Sequence, residues 1–548
     1  MKTQKFILSL FLSILVITVF SVSAEVGPTY AIVHCTVVPV SGPPVENGVI
    51  IIRDGLIESV GVFGDITIPE DAEVIEAGDM FAYPGLISAH TNLLLEPPRP
   101  PSQAQQPAST AQQPDEKPGW QKAELLAFEN LQIKKTTIED LYKAGITTVL
   151  IAPEQNIFAG QSVILNLHGE NKEAMVLKQP FGLHINFVTA RGEYPSSLMG
   201  TMALLRQSFL DTEHYFLYKT QFAKSPGGLK RPQYDPFLEN LLPYVVEKKP
   251  VIFNCANLED IKRAIRITEE FKLKSYISGA NEAWRAVDWI KKAKLPLLVS
   301  LDYKPPNMSK YVRQGDALKK DAEENIYPAN AANLHKDGVK FALTTLGLSK
   351  SADVLKNLRT VIKAGFPEEV ALKAMTIYPA EYLDIESLVG SLEPGKIANV
   401  VLTSGKIFDE KTTVRKVFVD GMLFEVKQAP KKAESTSLDI SGKWKAVVDS
   451  PMGAVDMTIE FIQDGSNITG SFTSEMPEIG KWEITEGILS GKELTFSISA
   501  DIMGQSMAME FSGTVDNESL EGDISFQGGS ATLKATKIPD GGVEENSL

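Results

Sequence analysis

Three blocks of pattern predict an α/β protein. They describe a TIM-type (β/α)8 barrel, a small β-sandwich formed by both flanks of that barrel, and a C-terminal all-β antiparallel barrel. From about residue 81 to 387, short apolar runs alternate with amphipathic helical stretches, which implies a mostly parallel sheet with crossover helices. The flanks, 28–80 and 388–426, read as strands and turns. From 438 to 540 short alternating strands recur between turns with no helical period, the pattern of an up-and-down barrel or sandwich.

Taken in order, the first 24 residues read as a secretory signal peptide. Lys2 and Lys5 precede the apolar run FILSLFLSILVITVF, and Val22-Ser23-Ala24 offers a small-residue cleavage site. The run is short for a membrane anchor, so export to the periplasm or outside the cell is expected, with no span after cleavage. NGVIIIRDGLIESVG predicts a hairpin around Asp54-Gly55. Eight barrel strands follow: LISAH, ITTVLIA, SVILNLH, LHINFV, PVIFNCA, SYISGA, PLLVSLD and VKFALTT. The third, within SVILNLHGENKEAMVLKQP, reads equally as an inserted hairpin.

Between the strands, Thr136 with Glu139 suggests a capping box for the helix ending near Gly145. Asn257 is placed to cap LEDIKRAIRITEEF, whose Ile261, Ala264 and Ile265 form an inward stripe. Leu355, Leu358, Val361 and Ile362 do the same in the helix ending at Gly365. The stretch 96–119 is rich in proline, glutamine and serine and cannot bury enough apolar surface to order itself, while 427–437 reads as a linker to the C-terminal domain.

Composition narrows the partners. The chain of 548 residues carries a formal net charge of −15, which argues against nucleic acid and anionic membrane. Cys35 and Cys255 are its two cysteines, each in an apolar run, and read as buried thiols rather than a disulfide framework.

The most informative residues are His90-Thr91-Asn92, closing the apolar run FAYPGLISAHTN. Positions 90 and 92 share a face of the strand, so two histidines there would supply half of a catalytic metal site; here the second position is asparagine. PGLISAHTN resembles the PGLIDxHxH signature of the amidohydrolase superfamily, especially its imidazolonepropionase-like and dipeptidase-like members. YAIVHCTVVPVSGPPVENGVIIIRDGLIESVG resembles that family's opening β-layer, and ALKAMTIYPAEYLDIESLVGSLEPGKIANVVLTSGK its closing segment, so the similarity runs from about 28 to 426. The C-terminal strands resemble small lipocalin-like domains.

The resemblance implies a metal-dependent hydrolase of non-peptide carbon–nitrogen bonds, with ligands at the strand ends and an aspartate base on the eighth strand. Matched position by position, Ser88 stands for the signature aspartate, and His90 and Asn92 for the histidine pair. Asn254 and Ala256 replace the fifth strand's histidines, Ser278 the polar residue of the sixth, and Leu346 the aspartate. Glu193 aligns with an acidic residue after the fourth strand. Framework residues such as Pro84, Gly85 and the turn Glu393–Lys396 remain. Of the other histidines, His34 falls in the β-layer, His214 in a helix and His335 before the eighth strand, while His168 and His184 lie on strand-like runs that could approach the barrel mouth, where a structural role is expected of either before that of a ligand.

The expected protein is therefore an exported, non-catalytic member. It would bind an unknown small molecule at a pocket of His90, Asn92, Asn254, Ser278 and Leu346, with no cofactor, or act as homo-oligomer or partner of an active paralogue. The alternative is an active hydrolase with one zinc held by His90, Glu193 and a residue such as His184. A third reading places an apolar-ligand or partner function in the C-terminal barrel. No catalytic residue is assigned.

Overall fold

The computed structural model describes residues 27–94, 122–131, 133–169, 171–190, 192–303, 325–426, 438–450, 453–474, 481–502, 505–516, 518–526 and 529–538. The signal-like segment, the proline- and glutamine-rich stretch and the linker lie outside the described residues. The chain divides into two compact units, one to Val426 and one from Lys427.

In the first unit, both flanks of the barrel join one eight-stranded layer. Phe81–Pro84 pairs antiparallel with Val400–Thr403, and Tyr30–Val37 pairs antiparallel with Val45–Arg53. Ile32, Ile50, Ile52, Leu402 and Phe418 form its core. The turn between Val45–Arg53 and Leu56–Val62 falls at Asp54-Gly55, where φ values of 51° and 79° give the left-handed pair that a tight hairpin requires. Gly85 carries the chain into the barrel; a Cβ there would meet Thr147 Oγ1 at 2.0 Å, so only glycine fits.

Seven of the eight expected barrel strands form as parallel strands. Leu183–Asn186, Val251–Cys255, Ser275–Gly279, Leu297–Ser300 and Phe341–Thr344 run parallel in that order, and Leu86–Thr91 pairs parallel with Ile146–Ile151. The third departs from the parallel pattern. Val163–Asn166 runs antiparallel to Ile146–Ile151 and hairpins with Val176–Lys178, while the preceding Phe158–Gln161 runs antiparallel to Leu183–Asn186. The turn after Ile151 leaves no room for a crossover helix, so the chain must reverse. The inserted-hairpin reading is the one that holds.

Asn257 caps its helix, accepting from the Asp260 amide at 2.9 Å. The Thr136 capping box does not form: the helix begins at Lys135, putting Thr136 inside its first turn, and no side chain caps Lys134. The barrel closes between Leu86–Thr91 and Phe341–Thr344 through hydroxyls. Thr344 Oγ1 donates to the His90 carbonyl at 2.6 Å, Thr345 Oγ1 to Thr91 Oγ1 at 2.7 Å, and Ser88 Oγ lies 2.9 Å from Thr345 Oγ1.

The second unit is a closed barrel of eight antiparallel strands, each paired with its neighbour in sequence, with Gly442–Ser450 pairing Gly529–Lys537 to close it. Its interior is a chain of aromatic rings: Phe496 stacks on Phe511 at 4.5 Å between centroids and touches Phe461 and Phe472. Among the described residues, no helix is long and apolar enough to cross a membrane.

Candidate functional site

Strand geometry converges a small polar set on the interior of the large barrel. His90 comes from the first strand, His184 and Asn186 from the fourth, Asn254 from the fifth and Ser278 from the sixth. The imidazoles of His90 and His184 lie edge to face, ring centroids 4.8 Å apart, and both are fully buried. His90 Nδ1 is hydrogen-bonded to Ser278 Oγ at 2.8 Å. Asn254 donates from Nδ2 to Asn186 Oδ1 at 2.6 Å, and Asn186 in turn donates to the carbonyls of Glu154 and Asn156 at 2.9 and 2.8 Å. Asn186 is thus locked and holds Asn254 in place.

Four polar atoms in this cluster lack a hydrogen-bond partner: His90 Nε2, both ring nitrogens of His184, and Asn254 Oδ1. Such atoms cost about 1–3 kcal/mol each when buried unsatisfied, and their clustering makes this the candidate site. Burial sets the charge. Desolvation pushes His90 down to about 3, so its imidazole is neutral at physiological pH. Desolvation, then the neighbouring His90, pushes His184 the same way. Asn254 opposes that shift weakly from nearby, without reaching normal hydrogen-bond geometry.

Of the residues singled out in the sequence, His90, Asn254 and Ser278 are brought together. Asn92 is half-buried, and its Oδ1 accepts from the Gly347 amide at 3.2 Å, which ties the first strand to the turn leaving the eighth. Leu346 is half-buried on that turn, its carbonyl accepting from Ser300 Oγ at 2.6 Å. Glu193 is exposed in the loop before the helix Leu198–Lys224, unlike the buried histidine pair. His168 sits beside Asp420 of the β-layer. Ser88 serves the barrel seam, and Ala256 is exposed.

Sequence reasoning missed three residues. Asn186 had a legible signal, being a second polar residue two positions after His184 on the same strand face. Thr344 and Thr345 had none, because their partners lie at the other end of the chain. Among the described residues, no group of three or more His, Cys, Asp or Glu is placed to hold a metal ion.

The comparisons with known proteins match this architecture. Residues 322–424 match the model of the amidohydrolase family. The crystal structure of an amidohydrolase from Thermotoga maritima is 26% identical, with a TM-score of 0.60, over 72% of this chain and all of that one. Similar curated proteins are a 5-methylthioadenosine/S-adenosylhomocysteine deaminase of Moorella thermoacetica, 49% identical over 59 residues, and an adenine deaminase 2 of Jannaschia sp., 31% identical over 153. Those matches span 11% and 27% of this chain, and only 14% and 21% of the length of the respective relatives. The fold, the family model over residues 322–424 and these relatives agree in making the chain similar to the amidohydrolase superfamily.

Proposed function

We propose that this is an exported amidohydrolase-fold protein whose barrel binds a small neutral molecule without hydrolysing it, alone or beside an active paralogue. The observation that carries this is the paired, buried and uncharged His90 and His184, with His90 held by Ser278 rather than by a carboxylate. Uncharged imidazoles and an amide offer both donors and acceptors, which suits a polar heterocycle and not an ion. Adenine, on which the Jannaschia relative acts by name, is a probe of that chemistry.

The metal that this superfamily employs does not fit the donor set. Catalytic zinc takes three protein ligands and a base for its water. Here the ligand positions carry Asn92, Asn254 and Ser278, and the base position carries Leu346, which can neither bind metal nor take a proton. We therefore derive no step through zinc.

A second reading, a working single-metal hydrolase, is favoured by one observation: the unpartnered nitrogens of His90 and His184 present lone pairs side by side. Elemental analysis of protein purified with and without added zinc separates the two. Well under one equivalent of zinc, with adenine bound and recovered unchanged, supports the binding protein. Stoichiometric zinc together with hydrolysis that His90→Ala abolishes overturns it. In this reading the C-terminal barrel, with its buried aromatic cluster, is a partner-binding or scaffolding part, and binding of adenine by His184→Leu as tight as by wild type would move the ligand out of the large barrel.

A further inference from the structure

Hydrogen-bond polarity in the cluster of His90 and His184 is set from its rim, by groups that can act in one sense only. The carbonyls of Glu154 and Asn156 can only accept, so the Asn186 atom lying 2.9 and 2.8 Å from them is its amide nitrogen. Both hydrogens of that nitrogen are then used, and Asn186 Oδ1 is left facing Asn254 as an acceptor. The Asn254 atom 2.6 Å from it must donate, so it is Nδ2. Asn254 Oδ1 therefore stands beside His184 as a buried acceptor with no donor. Two backbone carbonyls in the loop after the second barrel strand thus decide which end of an amide on the fifth strand is offered to the site.

The tautomer of His90 follows in the same way. Ser278 Oγ, 2.8 Å from Nδ1, makes no other hydrogen bond among the described residues. Were Nδ1 the donor, the proton of the buried Ser278 hydroxyl would have no acceptor. Ser278 therefore donates, Nδ1 accepts, and the neutral ring carries its proton on Nε2. His90 Nε2–H is a buried donor with no acceptor, the counterpart of Asn254 Oδ1. Neither satisfies the other.

We infer that the site reads a ligand edge on which a hydrogen-bond acceptor adjoins an N–H donor. The acceptor takes His90 Nε2–H and the donor goes to Asn254 Oδ1. This rests on the binding reading above and narrows it to planar nitrogen heterocycles with such an edge, aminoazines and lactams alike. Asn186 and Ser278 are positioning residues, acting through Asn254 and His90.

The test uses the full chain in two measurements. Long-range proton–nitrogen NMR at neutral pH, with signals assigned by their loss in His90→Gln, is expected to show His90 protonated at Nε2. Ser278→Thr keeps that tautomer and Ser278→Ala does not. Ligand selectivity is read by competition against adenine. 4-Aminopyrimidine, with a ring nitrogen beside an amino group, should bind at least about tenfold tighter than 4-methylpyrimidine, which has the same shape and no N–H. Asn186→Leu should bring the two affinities together, whereas a merely structural role would weaken both alike and keep their ratio. His90 protonated at Nδ1, or equal binding of the two pyrimidines by wild type, overturns the inference even with adenine bound. An unchanged ratio in Asn186→Leu overturns its positioning role. No binding of adenine, with His90 protonated at Nε2, overturns the binding reading instead, and the ligand edge falls with it.

Discussion

Inside the large barrel, His90 and His184 lie ring against ring with nitrogens that have no partner; inside the C-terminal barrel, Phe496 lies ring against ring with Phe511, and the indole of Trp444 donates to the Ile440 carbonyl at 2.9 Å. Both pairs of rings are buried. The aromatic pair consists of groups that gain from burial, the imidazole pair of groups that lose by it. The contrast is what the proposed site in the large barrel rests on.

The comparison breaks most visibly at Phe496. Phe496→Ala removes the ring that bridges Phe461, Phe472 and Phe511, and should destabilise the C-terminal unit by about 3–5 kcal/mol. Urea unfolding followed by tryptophan fluorescence reads this directly; a loss below about 1 kcal/mol would mean that the interior is loosely packed.

Acid sharpens it next. His90 has a folded pKa of about 3 against about 6.5 unfolded, so below about pH 6.5 the unfolded chain binds a proton that the native state refuses. The stability is fully present above about pH 6.5 and is lost as pH falls towards 3, at about 1.4 kcal/mol per unit. His184 adds to the slope in the same direction. Unfolding free energies measured between about pH 7 and pH 5 should show this decline, and His90→Gln should flatten it. An unchanged slope in that variant would show that the pair is not kept neutral.

Smaller effects separate the scaffold of the site from the site itself. Asn186→Ala removes the donor to two carbonyls and the acceptor of Asn254, and should cost about 1–3 kcal/mol in thermal or denaturant unfolding. His184→Leu should do the reverse, raising stability by about 1 kcal/mol while abolishing adenine binding. Destabilisation by His184→Leu would make His184 a structural residue and remove the contrast between the two barrels.

Much of this architecture is legible in one chain because local chemistry decides it. Asp54-Gly55 can only turn tightly, Asn257 can only cap, and the C-terminal strands carry their alternation on their faces. The direction of Val163–Asn166 was ambiguous because an apolar run has no arrow; only the short connection before it tells which way it runs. His90 stood out through its neighbours in sequence, whereas its meeting with His184 depends on four strands closing into a cylinder. The hydroxyl seam at Thr344 and Thr345 is of the same kind. Thr136 misled because a capping pattern one residue inside the true start looks identical in sequence.

The pairing of Phe81–Pro84 with Val400–Thr403 has a consequence for how the molecule is made. The strand that enters the barrel waits for a partner that leaves the ribosome only after every barrel strand has been synthesised. The layer therefore cannot close until Val400–Thr403 has emerged, and its exposed edge must be kept from other chains until then. A ribosome-bound chain stalled before Val400 should be cut readily by protease within Tyr30–Pro84, and one stalled well after Glu425 should resist.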